Sequence, residues 1–269
     1  QGETRRTALY NQAIQASRGD TVVFTHDDAY FPKDWLALLT APLRDPSTGC
    51  ASGEDQVPLD ERPFLISLDY VLKNPFASGG MRRGHGIRFG YFTPRDWNMA
   101  FPKRVLLEVG LFDPSFDECA EAELVLRIRE AGYKIAYVPE SKVFHTRETS
   151  LRKITRTNFK RGLTRSHLAR KTGALSHFPH FLGALLTITL PILGMAALLH
   201  PPYRLWLLVP VMVYVGALCL MGLHAFMIWR NPSLLFWTPL LVMSQHFGHG
   251  TGYLSGFLTV SRTQKSSLV

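Results

Sequence analysis

Every Asp and Glu of this chain lies at or before Glu148, and the stretch from there to Val269 contains none. A soluble surface mixes both signs of charge, so the chain changes solvent at that point. Up to Glu148 there are 21 acidic and 18 basic residues; beyond it, 12 basic residues stand unopposed and account for the net charge of +9. Eight of them, Arg152, Lys153, Arg156, Lys160, Arg161, Arg165, Arg170 and Lys171, precede the first long apolar run. Anionic headgroups attract Lys and Arg at about 1 kcal/mol each. A cationic stretch followed by apolar runs therefore selects membrane lipids as its partner, and no nucleic acid.

Phe181–Leu199 is uncharged and close to the ~20 residues that cross a bilayer as a helix. Residues 205–229 form a second such run. Residues 234–258 form a third, uncharged but less apolar, with Gln245, His246, His249 and several glycines. Pro191, Pro210 and Pro239 lie inside these runs, where neighbouring membrane helices can satisfy the carbonyls they free. The expected organisation is a soluble domain over 1–148, a basic interfacial segment over 149–178, and a multi-pass α-helical transmembrane region over 179–260. The positive-inside rule places the soluble domain in the cytoplasm. Three full spans would put Arg262 and Lys265 on the far side, so a re-entrant third segment stays open. Cys50, Cys119 and Cys219 are far apart with no CxxC, which fits a reducing compartment and excludes a cysteine-based zinc site. The chain begins with Gln1, inside what reads as a helix, and is expected to lack an N-terminal portion.

The soluble part reads as α/β. Residues 7–17 carry Ala8, Leu9, Ala13 and Ala16 at near-helical spacing, and Arg18-Gly19-Asp20 ends that helix. Residues 21–25 (TVVFT) form a short β-branched and aromatic run of the kind buried in a parallel sheet. It delivers His26-Asp27-Asp28 to the strand's C-terminal end, where α/β sheets bind ligands. Pro32 and Trp35-Leu36 open the next helix. Between Gly49 and Gly90 the pattern is weaker: GEDQVPL suggests a strand and turn, and 78–90 a mobile basic loop with Arg82 and Arg83. Asn98-Met99-Ala100-Phe101 precedes a helix starting at Pro102 or Lys103, and 109–113 read as a turn. Over 121–131, Leu124, Val125, Ile128 and Ala131 make an apolar stripe, with Glu123 and Arg127 paired i,i+4 on the other side. Glu121 falls on the stripe side. Gly132 caps this helix, and 135–138 form another strand.

Two adjacent carboxylates at a strand end repel unless a cation shares them. Hard oxygen ligands there suit Mg²⁺ or Mn²⁺ bridging a diphosphate; alternatively Asp27 and Asp28 cap the next helix. Glu121 divides likewise between stabilising the helix dipole and acting as a general base toward a hydroxyl. His246 and His249, i,i+3 in the third apolar run, read as helix–helix hydrogen-bonding groups before they read as metal ligands.

The order of these pieces resembles the family 2 glycosyltransferases of GT-A fold. Their helix with an Asn, Gly-Asp turn, strand and acidic triplet match Asn11, Gly19-Asp20, VVFT and His26-Asp27-Asp28. Their later block matches NMAF, VGLFD, Phe116 to Leu124, Arg127, Ala131-Gly132-Tyr133 and VPES with His145. The resemblance implies a Rossmann-like nucleotide-sugar domain with Asp28 as the metal-binding acid and His26, Asp27, Asn11 and Asn98 at the donor. It makes Glu121 the catalytic base, and His145 a further metal ligand or phosphate contact. His26 replaces the usual first Asp of the triplet, and Ala120-Glu121 stands where Glu-Asp is common. The run HTRETSLRKITRTNFKRG, the apolar spans and HGTGYLSGFL look like succinoglycan-type exopolysaccharide glycosyltransferases; the QxxRW motif of processive synthases is not present. The expectation is an inverting, metal-dependent glycosyltransferase with a nucleotide-sugar donor and a lipid-linked or polysaccharide acceptor. The rivals are a polyprenyl-phosphate glycosyltransferase, whose acceptor needs no base, and a non-catalytic membrane assembly or transport subunit.

Overall fold

The computed structural model describes residues 5–56, 62–80, 92–116, 118–145, 150–172 and 178–265. The chain divides into two compact units, Gln1–Leu59 with Gly80–Arg147, and Asp60–Gly79 with Glu148–Val269. In chain order the elements are α1 (Arg6–Ala16), β1 (Thr21–Phe24), β2 (Ala29–Tyr30), α2 (Trp35–Thr40), β3 (Thr48–Gln56), α3 (Pro63–Lys73), α4 (Pro75–Ser78), β4 (Met99–Pro102), α5 (Lys103–Glu108), α6 (Ala120–Glu130), β5 (Lys134–His145), α7 (Leu151–Thr172), α8 (Phe178–Leu199), α9 (Arg204–Trp229) and α10 (Leu234–Lys265).

The first unit is built on one mixed sheet of order β1-β4-β3-β5-β2. Only β3 and β5 run parallel; β1 pairs antiparallel with β4, β4 with β3, and β2 with β5. The expectation that 21–25 is a buried parallel strand is thereby corrected. Among the described residues β1 is an edge strand, partly exposed along its length. A short apolar run reports burial tendency, whereas strand direction is set by the partner, here β4, almost eighty positions away in sequence. β3 extends the strand glimpsed in GEDQ and is buried over most of its length. Trp35 and Leu39 of α2 close one core cluster with Ala51, Ala100, Val138 and Val143.

α6 buries Leu124, Val125 and Ile128, as its spacing predicts, and Gly132 follows it at φ +90°. Ala131 is exposed, and Glu123, expected on the outer side, is only 2% exposed. Arg127 explains why. It pairs with Glu123 at 2.6 Å and donates to the Val109 and Leu111 carbonyls, so the i,i+4 pair is folded inward to hold the turn before α6. That turn contains Gly110 and Leu111 at positive φ, a conformation an L-residue keeps only when its surroundings hold it.

In the second unit, Pro191, Pro210 and Pro239 all lie within continuous helices. Two helical stretches among the described residues, Phe181–Leu199 and Pro201–Trp229, are long and apolar enough to cross a membrane. The third expected run, 234–258, falls inside the 32-residue α10, which does not reach that apolarity. α10 is instead a packing hub for α3, α7, α8 and α9. Helix α3, in a stretch the sequence left unassigned, joins it through a Thr238–Ser67 hydrogen bond, so 60–79 departs from the expected continuous domain 1–148. Its apolar face, Leu65, Leu68, Val71 and Leu72, is the reason. His246 lies 3.1 Å from the Tyr214 hydroxyl of α9, and His249 stacks on Tyr253.

Helix α10 approaches α7 through Gly248, Gly252 and Gly256, one face at i,i+4 spacing, with Gly162 answering from α7. A Cβ at Gly252 would collide with the Phe159 carbonyl, and one at Gly162 with the His249 carbonyl. These are close backbone contacts of the small-xxx-small kind. Gly252→Val should therefore lower the thermal stability of the protein by roughly 1–3 kcal/mol through overpacking. Gly194→Ala, with nothing within 4 Å, should be tolerated. Thermal unfolding of both variants checks this.

Candidate active site

β1 ends at Phe24, and the next four residues turn into β2. This turn exposes Asp27 and Asp28 and leaves His26 half-buried. The β2–β5 register sets Ala29 opposite His145, so the backbone of His145 runs one residue from Asp28. The side chain of His145 lies outside the described residues, as do Asp117 and the expected basic loop with Arg82 and Arg83.

Beneath the turn lies a cluster of charges whose members come from four separate segments. Asp96 and Glu121 have side chains only 5% and 9% exposed, and Arg6 of α1 contacts both, at 2.5 Å and 3.4 Å. Asp96 also accepts a hydrogen bond from the Tyr10 hydroxyl at 3.4 Å and lies 3.5 Å from His26 Nε2. The other imidazole nitrogen, Nδ1, lies 3.9 Å from Asp28, so His26 stands between the exposed and buried acids.

The electrostatics follow from these contacts. Burial opposes ionisation of Asp96, but the hydrogen bond from His26 and the charge of Arg6 outweigh it and hold Asp96 below the usual carboxylate range. Glu121 goes the other way: burial, then the charge of Asp96, push it up to about 7 against the smaller pull of Arg6. His26 is raised by its bond to Asp96. Neighbouring carboxyls driven apart in this way are the arrangement that assigns one group to hold charge and the other to move a proton.

Two of the residues expected at the donor make hydrogen bonds within the protein. The Asn11 amide exchanges hydrogen bonds with both backbone groups of Phe112, at 2.8 and 2.9 Å, and ties α1 to the turn before α6. Asn98 is fully buried; it accepts from Trp35 Nε1 and donates to the Glu54 and Ser141 carbonyls. Gly53 leaves room for that amide, since a Cβ there would strike Asn98 and Ser141. Both asparagines thus join segments that are distant in sequence. A buried amide with every group satisfied holds backbone segments in place.

Arg6, Tyr10 and Asp96 escaped the sequence reading. Arg6 and Tyr10 are four apart on one helical face, a faint signal at most, and Asp96 lies 90 positions from Arg6. The N-cap residue of α6 is Cys119, which has φ +63°, a strained conformation for a non-glycine residue directly before the Glu121 turn.

For a divalent metal the donor set fits one mode of binding. Among the described residues no group of three or more His, Cys, Asp or Glu side chains converges. Asp28 and Asp27 offer exposed hard oxygens, and Mg²⁺ is commonly held by one or two carboxylates together with substrate phosphates.

Residues 3–163 match the model of the family described as glycosyltransferase like family 2. An uncharacterized protein, y4gI, of Sinorhizobium fredii (strain NBRC 101917 / NGR234) is 25% identical over 155 residues, 54% of this chain. The chain spans only 17% of that relative's length. Among solved structures, the mannosyltransferase PcManGT from Pyrobaculum calidifontis, in complex with GDP-Man and Mn²⁺, aligns at TM-score 0.51 and 15% identity. That alignment covers 94% of this chain and 66% of the other, and establishes a shared fold. With the family model matching more than half of the chain, over the sheet, the acidic turn and the buried Glu121, the protein belongs to the family 2 glycosyltransferases.

Proposed function

We propose that the chain is a membrane-anchored, inverting glycosyltransferase that moves a sugar from a nucleotide-sugar donor to a lipid-linked or polysaccharide acceptor. The observation that carries this reading is Glu121: a carboxylate 6% exposed, set against Arg6 and Asp96, with its proton affinity raised to about 7. General bases work best when their pKa lies near the operating pH. Glu121 takes the proton of the acceptor hydroxyl as that oxygen forms its bond to the anomeric carbon. The bond from this carbon to the phosphate oxygen breaks, and the electron pair leaves with the nucleoside diphosphate. Attack from the face opposite the leaving group inverts the anomeric centre. Mg²⁺ or Mn²⁺ held by Asp28, with Asp27 beside it, would neutralise charge on the departing diphosphate. The 3.9 Å approach of His26 Nδ1 to Asp28 supports a role for the imidazole beside that carboxylate.

The membrane reading is supported by Phe181–Leu199 and Pro201–Trp229, whose apolar side chains are largely uncovered within their unit, and by the cationic exposed residues of α7. Incubating the intact protein in vesicles with labelled nucleotide sugar tests the activity: label should pass to a lipid or polysaccharide fraction with inverted configuration, and nucleoside diphosphate should be released. Cysteine labelling tests the topology. An engineered cysteine near Lys33 should resist an impermeant reagent in intact cells and react in lysed ones; labelling in intact cells would reverse the orientation.

A further inference from the structure

We infer that Arg6 and Asp96 are positioning residues, which together determine that Glu121, and not its neighbour, is the buried carboxyl that takes the proton. The inference rests on the reading of Glu121 as the base. Its ground is an asymmetry in how a single guanidinium serves two acids. Arg6 Nη1 lies 2.5 Å from Asp96 Oδ2, while Nη2 lies 3.4 Å from Glu121 Oε1. Asp96 adds the Tyr10 hydroxyl at 3.4 Å and His26 Nε2 at 3.5 Å. A carboxylate surrounded by donors stays ionised. A second carboxylate, equally dry, with one longer cationic contact and a negative neighbour, is the easier to protonate.

The other charges facing the pair are Arg95, next to Asp96 in sequence, and Glu118, which acts on Arg6. Tyr10 is itself pushed up to about 12 and donates as a neutral phenol. Glu123, the other buried acid of α6, is paired with Arg127. Arg6 is thus the cation that contacts both acids, and it reaches Glu121 across 115 positions of sequence. Its side chain is 41% exposed, so shortening or neutralising it opens no cavity. A purely structural ion pair would tie α1 to the sheet with one acid; two acids at unequal distances on one guanidinium set a difference in proton affinity.

The test is the pH dependence of kcat/KM for Arg6→Gln and Asp96→Asn in the intact protein, with Glu121→Gln alongside. Arg6→Gln should move the acidic inflection up by about one pH unit or more, and Asp96→Asn should move it down by about as much, since an opposite charge at this range shifts a carboxyl by ~1–3 units. Asp96→Glu should restore the original position. Carboxyl ¹³C NMR, with the Glu121 resonance assigned by its loss in Glu121→Gln, reads the same titration without turnover, and Arg6→Gln suffices should Asp96→Asn not fold. An inflection and a resonance that stay in place in both variants, with rate merely reduced, overturn the inference. An activity inflection that persists in Glu121→Gln overturns the base reading instead, while the NMR titration still decides the role of Arg6 and Asp96.

Discussion

Glu121→Gln should lower turnover by on the order of 10²–10⁴, the range for loss of a general base, and leave donor affinity nearly unchanged. Gln keeps the size of the side chain and an oxygen that accepts from Arg6, whose contact at 3.4 Å is preserved in kind. What it lacks is a site for the acceptor's proton. Wild-type turnover should rise as pH passes upward through about 7, because the base works only when deprotonated and Glu121 is raised to that value; the variant's profile should lose this limb. Glu123→Gln is the contrast. Glu123 is 2% exposed and bound to Arg127, which holds the carbonyls of the preceding turn. Breaking that bond should cost roughly 1–3 kcal/mol of stability and lower Tm without removing the pH limb. Turnover, donor affinity and thermal unfolding on both variants separate chemistry from scaffolding. Full activity in Glu121→Gln would point to an acceptor that needs no base, such as a polyprenyl phosphate.

Asp28→Asn should abolish metal-dependent turnover, a loss on the order of 10²–10³ or greater of the kind seen when a group stabilising transition-state charge is removed. The side chain is 54% exposed and supports no core. Its neutralisation relieves repulsion with Asp27 and creates no cavity, so Tm should hold while binding of Mn²⁺–nucleoside diphosphate falls. Calorimetry of that complex and a Mn²⁺ titration of activity provide the check. Wild-type turnover in Asp28→Asn at low Mn²⁺ would remove Asp28 from the metal site.

The elements best read from sequence were those whose pattern repeats over adjacent residues. α1 and α6 lie within a residue of their expected ends, and the two apolar stretches and the helix after Pro102 are where their periodicity puts them. The acidic turn after β1 was legible because it interrupts an apolar run. The hydrogen-bond partners of Asn11 and Asn98 were not legible. An amide reads the same in sequence whatever it bonds to, and here Asn11 bonds to the Phe112 backbone and Asn98 to the Trp35 indole and two backbone carbonyls. The burial of Glu123 was hidden for a related reason: helical phase assigns a face, but Arg127 draws that face inward through a turn at 109–111.

Residue order was enough for the loss of acidic residues after Glu148, the family through its ordered motifs, and Glu121 as an acid on the inward side of α6. Each of these is a statement about neighbours in the chain, and short-range periodicity and charge are sufficient for it. Only the folded chain shows that β1 pairs antiparallel at an edge, that α3 belongs with the C-terminal helices, and that Arg6 contacts both Asp96 and Glu121. Those pairings join residues from 75 (Phe24 with Met99) to 171 positions apart. Closing such distances depends on the summed burial of whole elements, which leaves no period in the residues that finally touch.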